Sequence, residues 1–260
     1  MDLSFEMMTL LVAVAAVAGF IDAMAGGGGL ITLPALLAAG VPPTQALATN
    51  KLQSSFGSFS ASLYFIRSGA VKLQSMWLSI VCTFIGAALG AEAVQHIKPD
   101  ILMSLIPIVL IAISSYFLFS SSVTPHPEDK PKLSEAAFAF IIGGGVGFYD
   151  GFLGPGTGSI FAVCFVAIGR YTLVAATART KVLNFTSNIA ALSFFILADL
   201  PIWELGLTMA IGGFIGARLG AKVVLGSGQK WIKPLVIIMS MTMALKLLWE
   251  QHQQWLLSLL

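Results

Sequence analysis

The sequence predicts an all-α integral membrane protein built from two duplicated halves, and three observations predict it: composition, segment length and an internal repeat. Hydrophobic residues make up 57% of the 260 positions and charged residues 10%, whereas soluble domains carry roughly 25% charged residues. Several stretches of about 20 residues have few or no charges, which is the length a helix needs to cross about 30 Å of hydrocarbon. A membrane β-barrel would need short alternating segments instead.

Apolar runs between polar breaks predict four long helices in each half. The first four cover Phe5–Met24, Thr44–Ile66, Ser75–Val94 and Ile101–Ser120, and the second four cover Ser134–Leu153, Leu173–Leu197, Trp203–Lys222 and Trp231–Trp249. A shorter apolar piece follows the first helix of each half, at Leu30–Gly40 and Ser159–Gly169. At about 11 residues, roughly 16 Å, these pieces are too short to span comfortably. We therefore expect one broken or re-entrant helix in each half.

One linker divides the chain. Residues 121–133 contain Pro125, Pro127 and Pro131 together with four charged residues, a composition typical of loops. We expect an N-terminal transmembrane repeat at 1–120, a cytoplasmic linker at 121–133 and a C-terminal transmembrane repeat at 134–260.

The two halves repeat in sequence. Phe84–Ala91 recurs 130 residues later as Phe214–Ala221 with a single difference. Gly19–Asp22 recurs with one change as Gly147–Asp150, and a glycine cluster follows each. Both halves have the same order of features: an Asp, a glycine break, a polar helix and a small-residue helix. A chance likeness between glycine-rich membrane helices would not reproduce this order. Internal duplication of this kind is the usual construction of secondary transporters.

Basic residues indicate that the halves are inverted. If each half crosses the membrane an odd number of times, nearly all loop cations gather on one side, whereas an even number divides them about equally. The richer side then has Arg67, Lys72, Lys130, Lys132, Arg170, Lys222, Lys230 and Lys233, and the other has Lys98 and Lys246. The positive-inside rule therefore favours inverted halves. We expect a multi-pass protein of the cell inner membrane with both termini on the periplasmic or extracellular side.

Two carboxylates, Asp22 and Asp150, lie deep in apolar sequence at equivalent places in the two halves. An intramembrane carboxylate costs about 3 kcal/mol or more unless it is paired, neutral or hydrated. Each could exchange a proton during transport, or each could cap the broken backbone beside it. Both roles stay open at this point, and we describe the two residues as coupling or structural carboxylates.

The glycine clusters begin four residues after each Asp and precede the short helices. Unpaired N–H groups and partial positive charge at a helix N-terminus favour an anion, and glycine lets a ligand approach the backbone closely. Close helix packing is the structural alternative. The cluster residues that we expect to contact an anion are Gly27, Gly28, Gly29, Gly156, Thr157 and Gly158. Neither cluster has the Lys-Ser/Thr of a phosphate-binding loop.

The helix after each short helix carries polar residues. In the second half these are Thr177, Lys181, Asn184 and Asn188, whose spacings of four, three and four place them on one helical face. In the first half Asn50 and Lys51 lie in the corresponding helix, and Lys51 aligns with Lys181 at the offset of 130. Such a face should line the bundle interior or a wet cavity. We expect Thr177, Lys181, Asn184, Asn50 and Lys51 to contact an anion, unless the lysines reach the nearest headgroups instead.

Other features predict structure rather than chemistry. Glycines four apart, at Gly86 and Gly90 and at Gly212, Gly216 and Gly220, let helices approach closely inside one chain or across a homodimer. The histidines have no ligand-like spacing, so no metal site, cofactor or catalytic residue is predicted. The basic residues are scattered, which gives no surface for nucleic acid.

Four linked motifs resemble the TauE/SafE sulfite exporter family, in particular its YfcA-like branch, over essentially the whole chain. They are Ala18–Leu30, Ala48–Gln53, Gly147–Pro155, and Thr180-Lys181 with Asn184. The resemblance implies an inner-membrane carrier with duplicated halves, associated with sulfite, sulfoacetate and other organosulfur anions. It also implies a driving ion or proton gradient.

The sequence thus predicts a secondary active transporter of a small anion, working by alternating access between the bilayer's two faces, and not an enzyme. The organosulfur or sulfite-like nature of the anion comes from the resemblance alone. One alternative is a cation or metal carrier using Asp22 and Asp150, although mid-helix lysines would repel its substrate. Another is a membrane scaffold or an embedded enzyme, although the sequence has no nucleophile, base or metal set at recognisable spacing.

Overall fold

The computed structural model describes residues 4–119 and 130–226, and all regular secondary structure in these ranges is helical. Among the described residues, four stretches are long and apolar enough to cross a membrane: Phe5–Ala25, Leu73–Gln95, Leu173–Leu197 and Trp203–Leu225. The predicted all-α membrane class is confirmed, and the chain is a multi-pass membrane protein. Most of the predicted linker and the helix predicted at Trp231–Trp249 lie outside the described residues.

The described part of the first half contains five α-helices and one 3-10 turn, Leu73–Met76. The α-helices are α1 (Phe5–Ala25), α2 (Gly29–Ala38), α3 (Pro43–Arg67), α4 (Trp77–Gln95) and α5 (Pro99–Phe119). The Ser4 side chain accepts a hydrogen bond from the Met7 N–H and so caps the start of α1. Pro43 occupies the first position of α3, where its missing N–H costs nothing. These bounds agree with the predicted ones to within two residues.

The second half repeats this order with one irregularity. Its helices are α6 (Glu135–Phe138), α7 (Gly145–Phe152), α8 (Thr157–Ala167), α9 (Leu173–Leu197) and α10 (Trp203–Leu225). The backbone between α6 and α7, at Ala139–Gly144, is π-helical. The predicted helix Ser134–Leu153 is therefore a helical run with a π-helical insertion, which apolar periodicity does not signal.

The first long helix of each half packs on the small-residue helix of the other half. Helix α1 contacts α10, and α7, which ends the π-interrupted first helix of the second half, contacts α4. Glycines make this possible. A Cβ on Gly216 would overlap the carbonyl oxygen of Ala16, and a Cβ on Gly86 would overlap that of Gly144. The glycines spaced four apart therefore serve helix packing inside one chain.

Two buried apolar clusters lie at opposite ends of the long helices. The Leu36 cluster includes Leu11, Leu36, Leu47, Phe195 and Met209, and the Phe161 cluster includes Met24, Phe65, Phe161, Leu183 and Val224. Helix α3 begins in the Leu36 cluster and ends in the Phe161 cluster, whereas α9 runs in the reverse sense. Each short helix turns back toward the cluster in which its half begins: α2 packs in the Leu36 cluster and α8 in the Phe161 cluster.

Candidate functional site

The two glycine breaks contact each other between the apolar clusters. The Ser159 N–H donates a hydrogen bond of 3.2 Å to the Gly26 carbonyl oxygen, and a Cβ on Gly26 would overlap the backbone of Gly158. Gly26 also has a φ of +82°, a conformation that favours glycine. Since α2 and α8 start at this contact and run to different clusters, their N-termini lie together.

Each mid-helix lysine pairs with the aspartate of the other half. Lys51 Nζ lies 2.8 Å from Asp150 Oδ1, and Lys181 Nζ lies 2.8 Å from Asp22 Oδ2. The lysine side chains are 2% and 0% exposed, so neither ammonium group reaches the headgroups. The alternative in which these lysines extend to the membrane surface is therefore wrong.

Glycines in the breaks make room for both ion pairs. A Cβ on Gly154, whose φ is +92°, would lie 2.9 Å from both Asp150 Oδ1 and Lys51 Nζ. The Gly28 N–H donates a hydrogen bond of 3.1 Å to Asp22 Oδ1. Breaking a buried pair by removing one partner costs about 3–5 kcal/mol because the other charge is left uncompensated. The pairs therefore tie the two halves together at the breaks.

A small polar cavity lies where the breaks meet helices α3 and α9. Its volume is about 30 Å³, which is room for one or two water-sized molecules. It is lined by Asp22, Gly26, Gly29, Asn50, Lys51, Ser54, Asp150, Gly154, Gly156, Thr157, Gly158, Asn184 and Asn188. The structure therefore brings most of the predicted site residues, from both halves, to one cavity.

Four predicted contact residues do not line the cavity. Gly28 and Lys181 instead hold the two oxygens of Asp22. Gly27 accepts a hydrogen bond of 3.0 Å from the Leu30 N–H at the start of α2. Thr177 is buried elsewhere on α9.

Four lining residues were not among the predicted contacts, although the sequence holds signals for them. Asn188 belongs to the polar stripe, and Ser54 aligns with Asn184 in the repeat. Gly26 and Gly154 each follow their Asp by four residues. A search for equivalent positions in both halves would have found them.

The cavity offers both donors and acceptors. Among the described residues, no hydrogen bond involves the N–H of Gly29 or Gly158. Asn50 Oδ1 accepts from Thr32 Oγ1 at 2.5 Å and from Gln53 Nε2 at 3.1 Å, an arrangement that leaves the Asn50 NH₂ group free to donate. On the acceptor side, Asp150 Oδ2 and Asn184 Oδ1 are buried without a partner in the described part of the chain.

Comparison with known proteins identifies relatives over nearly the whole chain. The family described as Sulfite exporter TauE/SafE matches residues 11–247. The probable membrane transporter protein YfcA of Escherichia coli K12 is 48% identical over 241 residues, which cover 93% of this chain and 89% of the relative. No solved structure gives a significant match.

Other bacteria have relatives as well. A probable membrane transporter protein of Haemophilus influenzae is 44% identical over 251 residues, covering 96% of this chain and 98% of the relative. The probable membrane transporter protein YunE of Bacillus subtilis is 22% identical over 260 residues, covering 91% and 94%. The family match and the two relatives of 48% and 44% identity show that the chain belongs to the Sulfite exporter TauE/SafE family.

Proposed function

We propose that the protein is a secondary active transporter that moves a small anion across the bacterial inner membrane by alternating access. Transport as such is supported by the family and by relatives named as probable membrane transporters, none of which is named as an enzyme. The anionic substrate is supported by one observation above all. Two helix N-termini, whose N–H groups at Gly29 and Gly158 have no partner among the described residues, share a cavity with the ammonium group of Lys51.

Alternating access is supported by the arrangement of the two halves. Helix α3 and its repeat equivalent α9 run in opposite senses between the two apolar clusters, which is the pattern expected of inverted repeats around a central site. The Leu36 and Phe161 clusters lie at opposite ends of the long helices, and the cavity of about 30 Å³ lies between them. We infer that the Leu36 and Phe161 clusters loosen in turn, each opening the cavity to one side.

The four charges of the site sum to zero, so the N–H donors left free in the described part of the chain, rather than the net charge, favour an anion. Both aspartates already have a lysine within 2.8 Å, so neither offers a cation an unpaired carboxylate. Within the described ranges, no group of three or more His, Cys, Asp or Glu residues could hold a metal ion. A sulfite-like or organosulfur substrate is supported by the family description.

The proposal extends to topology. The N-terminal repeat would cover 1–120 and the C-terminal repeat 134–260, joined by a cytoplasmic linker at 121–133, with both termini periplasmic or extracellular. The partners are then the bilayer and the small anion. The glycine stripes pack helices inside the chain, so they do not call for a homodimer.

Thermal-shift screening of the purified protein tests the substrate class. Sulfite, sulfoacetate, thiosulfate, simple carboxylates and divalent metals would be compared, and we expect stabilisation by one or more of the anions. Uptake of that anion into proteoliposomes should then be lost in Lys51→Met. Arg179→Gln is the matched control, because Arg179 lies on α9 near Lys181 but stacks 3.9 Å above the Tyr171 ring. Stabilisation by divalent metals alone would contradict the proposal.

A further inference from the structure

The two salt bridges differ although their residues occupy equivalent positions in the repeat. Both oxygens of Asp22 are bound, Oδ2 by Lys181 and Oδ1 by the Gly28 N–H at 3.1 Å. Asp150 has one oxygen bound by Lys51, and its Oδ2 is buried without a partner among the described residues. The Asp150 side chain is 5% exposed and that of Asp22 is 22% exposed. The more deeply buried carboxylate is therefore the less satisfied one.

The second break does not repeat the backbone contact of the first. Its equivalent of Gly28 is Gly156, yet Asp150 Oδ2 has no hydrogen-bond partner among the described residues. The Pro155 carbonyl oxygen accepts a hydrogen bond of 2.6 Å from the Tyr149 hydroxyl, which fixes the break beside Asp150. No backbone N–H replaces the one that Gly28 gives to Asp22.

Charge makes the unsatisfied oxygen important for binding. The two lysines and two aspartates of the site sum to zero, so a bound anion leaves one negative charge uncompensated in a buried place. Uncompensated buried charge is strongly unfavourable, and buried groups neutralise instead. An ionised Asp150 would also present its free oxygen as a second acceptor in the cavity that the anion enters.

We propose that Asp150 takes up one proton when the anion binds, while Asp22 stays ionised as the structural partner of Lys181. This inference rests on the proposed function. A hydronium ion of the solvent gives up the proton: one of its O–H bonds breaks, a water molecule remains, and the proton bonds to Asp150 Oδ2. The new O–H donates to the anion, and the Lys51 ammonium group then balances the anion's charge. When the anion leaves, the proton leaves with it, so a monovalent anion would cross without net charge movement.

The surroundings of Asp150 contain one charged group that pairs with it, Lys51 on α3. Helix α8 and the π-helical segment carry no charged residue. On α9, Lys181 is held by the other aspartate and Arg179 by an aromatic ring. The single charge of α4, Glu92, is 53% exposed and pairs with a histidine. Tyr149 on α7, Cys82 on α4 and Cys164 on α8 are groups that already carry their protons near pH 7. Asp22 lines the same cavity, but both of its oxygens are bound. Proton uptake in this region therefore belongs to Asp150.

Calorimetric titration with methanesulfonate in buffers of different ionisation enthalpy counts the protons taken up per bound anion. Methanesulfonate carries a single negative charge and is not protonated near pH 7, so any proton taken up goes to the protein. We expect one proton for the wild-type protein and none for Asp150→Asn. By linkage, the wild-type affinity should fall about tenfold per unit rise in pH while the Asp150→Asn affinity stays nearly flat. Proton uptake that persists in Asp150→Asn would overturn the inference.

Glu92→Gln is the matched control, because it removes a carboxylate of α4 that is 53% exposed and does not line the cavity. It should still take up one proton per anion, and loss of that proton would contradict the assignment. Asp150→Glu covers the case in which Asp150→Asn does not fold. In infrared difference spectra, the carboxylic acid band that forms on binding should shift in Asp150→Glu, and an unshifted band would count against Asp150.

Binding itself separates this inference from the function on which it rests. If the wild-type protein binds neither methanesulfonate nor sulfite, the proposed function fails and the inference fails with it. If the anion binds and Asp150→Asn still takes up the proton, the function stands and the inference alone is wrong.

Discussion

Asn188 Nδ2 donates a hydrogen bond of 3.4 Å to Ser58 Oγ, and these two residues occupy equivalent positions 130 residues apart in the repeat. Equivalent residues can touch only where the two halves approach each other symmetrically. The contact therefore marks the place where α3 and α9 meet, and Asn188 also lines the cavity. The variants below test how this meeting point is held together and what it binds.

Removing one lysine should lower the free energy of unfolding far more than removing a whole ion pair. Lys181→Met leaves the Asp22 carboxylate without its partner, and we expect a loss of about 3 kcal/mol in the free energy of unfolding. Lys181→Met/Asp22→Asn should recover most of that loss, since no charge is left unpaired. Unfolding in detergent, analysed as a double-mutant cycle, measures the coupling. Equal stability of the single and double variants would contradict the pairing.

Gly216 tests the packing of α1 on α10. An alanine there would overlap the Ala16 carbonyl oxygen, and such overpacking typically costs about 1–3 kcal/mol. Gly145→Ala is the matched control, because no heavy atom lies within 4 Å of a Cβ at that helical position. We expect a lower unfolding temperature for Gly216→Ala and an unchanged or higher one for Gly145→Ala. The reverse order would show that α1 and α10 pack differently.

Gly154 tests the space around the Lys51–Asp150 pair. Gly154→Ala combines backbone strain at a φ of +92° with a Cβ 2.9 Å from both charged atoms. Gly69→Ala shares the positive φ, +75°, but meets nothing within 4 Å, so it isolates the strain of about 1–2 kcal/mol. We expect Gly154→Ala to lose anion binding and more stability than Gly69→Ala. Equal losses in thermal unfolding would argue against crowding of the pair.

Asn184 tests recognition of the anion inside the cavity. Its amide lines the cavity, and a hydrogen bond to a charged ligand contributes about 1.5–3 kcal/mol. Asn184→Ala should therefore weaken anion binding by roughly 10- to 100-fold at similar thermal stability. Ser193→Ala is the control, because that exposed hydroxyl on α9 bonds the backbone of its own helix. Unchanged affinity in Asn184→Ala would place the anion elsewhere.

Apolar segment length and polar breaks were enough to predict the helices. The bounds of α9, Leu173–Leu197, agree with the prediction at both ends, because a polar loop flanks each end. The π-helical Ala139–Gly144 could not be predicted, since an extra residue in one turn leaves the apolar composition unchanged. Periodicity reports which residues are apolar and does not report how tightly each turn is wound.

The residues of the site were largely predictable, but their partners were not. Asp22, Asp150, Lys51 and Lys181 stand out in sequence because ionisable residues are rare in membrane helices. Their pairing across the halves depends on how α1, α3, α7 and α9 cross, which one sequence does not display. The pairing changes the interpretation of the two lysines, because each forms a salt bridge with an aspartate of the other half.

The exchange of partners between halves also bears on how the protein is made. While the ribosome is still synthesising the second half, the first is already in the membrane with Asp22 and Lys51, and both of their partners are missing. Neither residue can be neutralised by its final partner until Asp150 and Lys181 follow. The two ion pairs can therefore form only after α9 has been synthesised, and a polypeptide that stops after α5 would carry one aspartate and one lysine without their final partners.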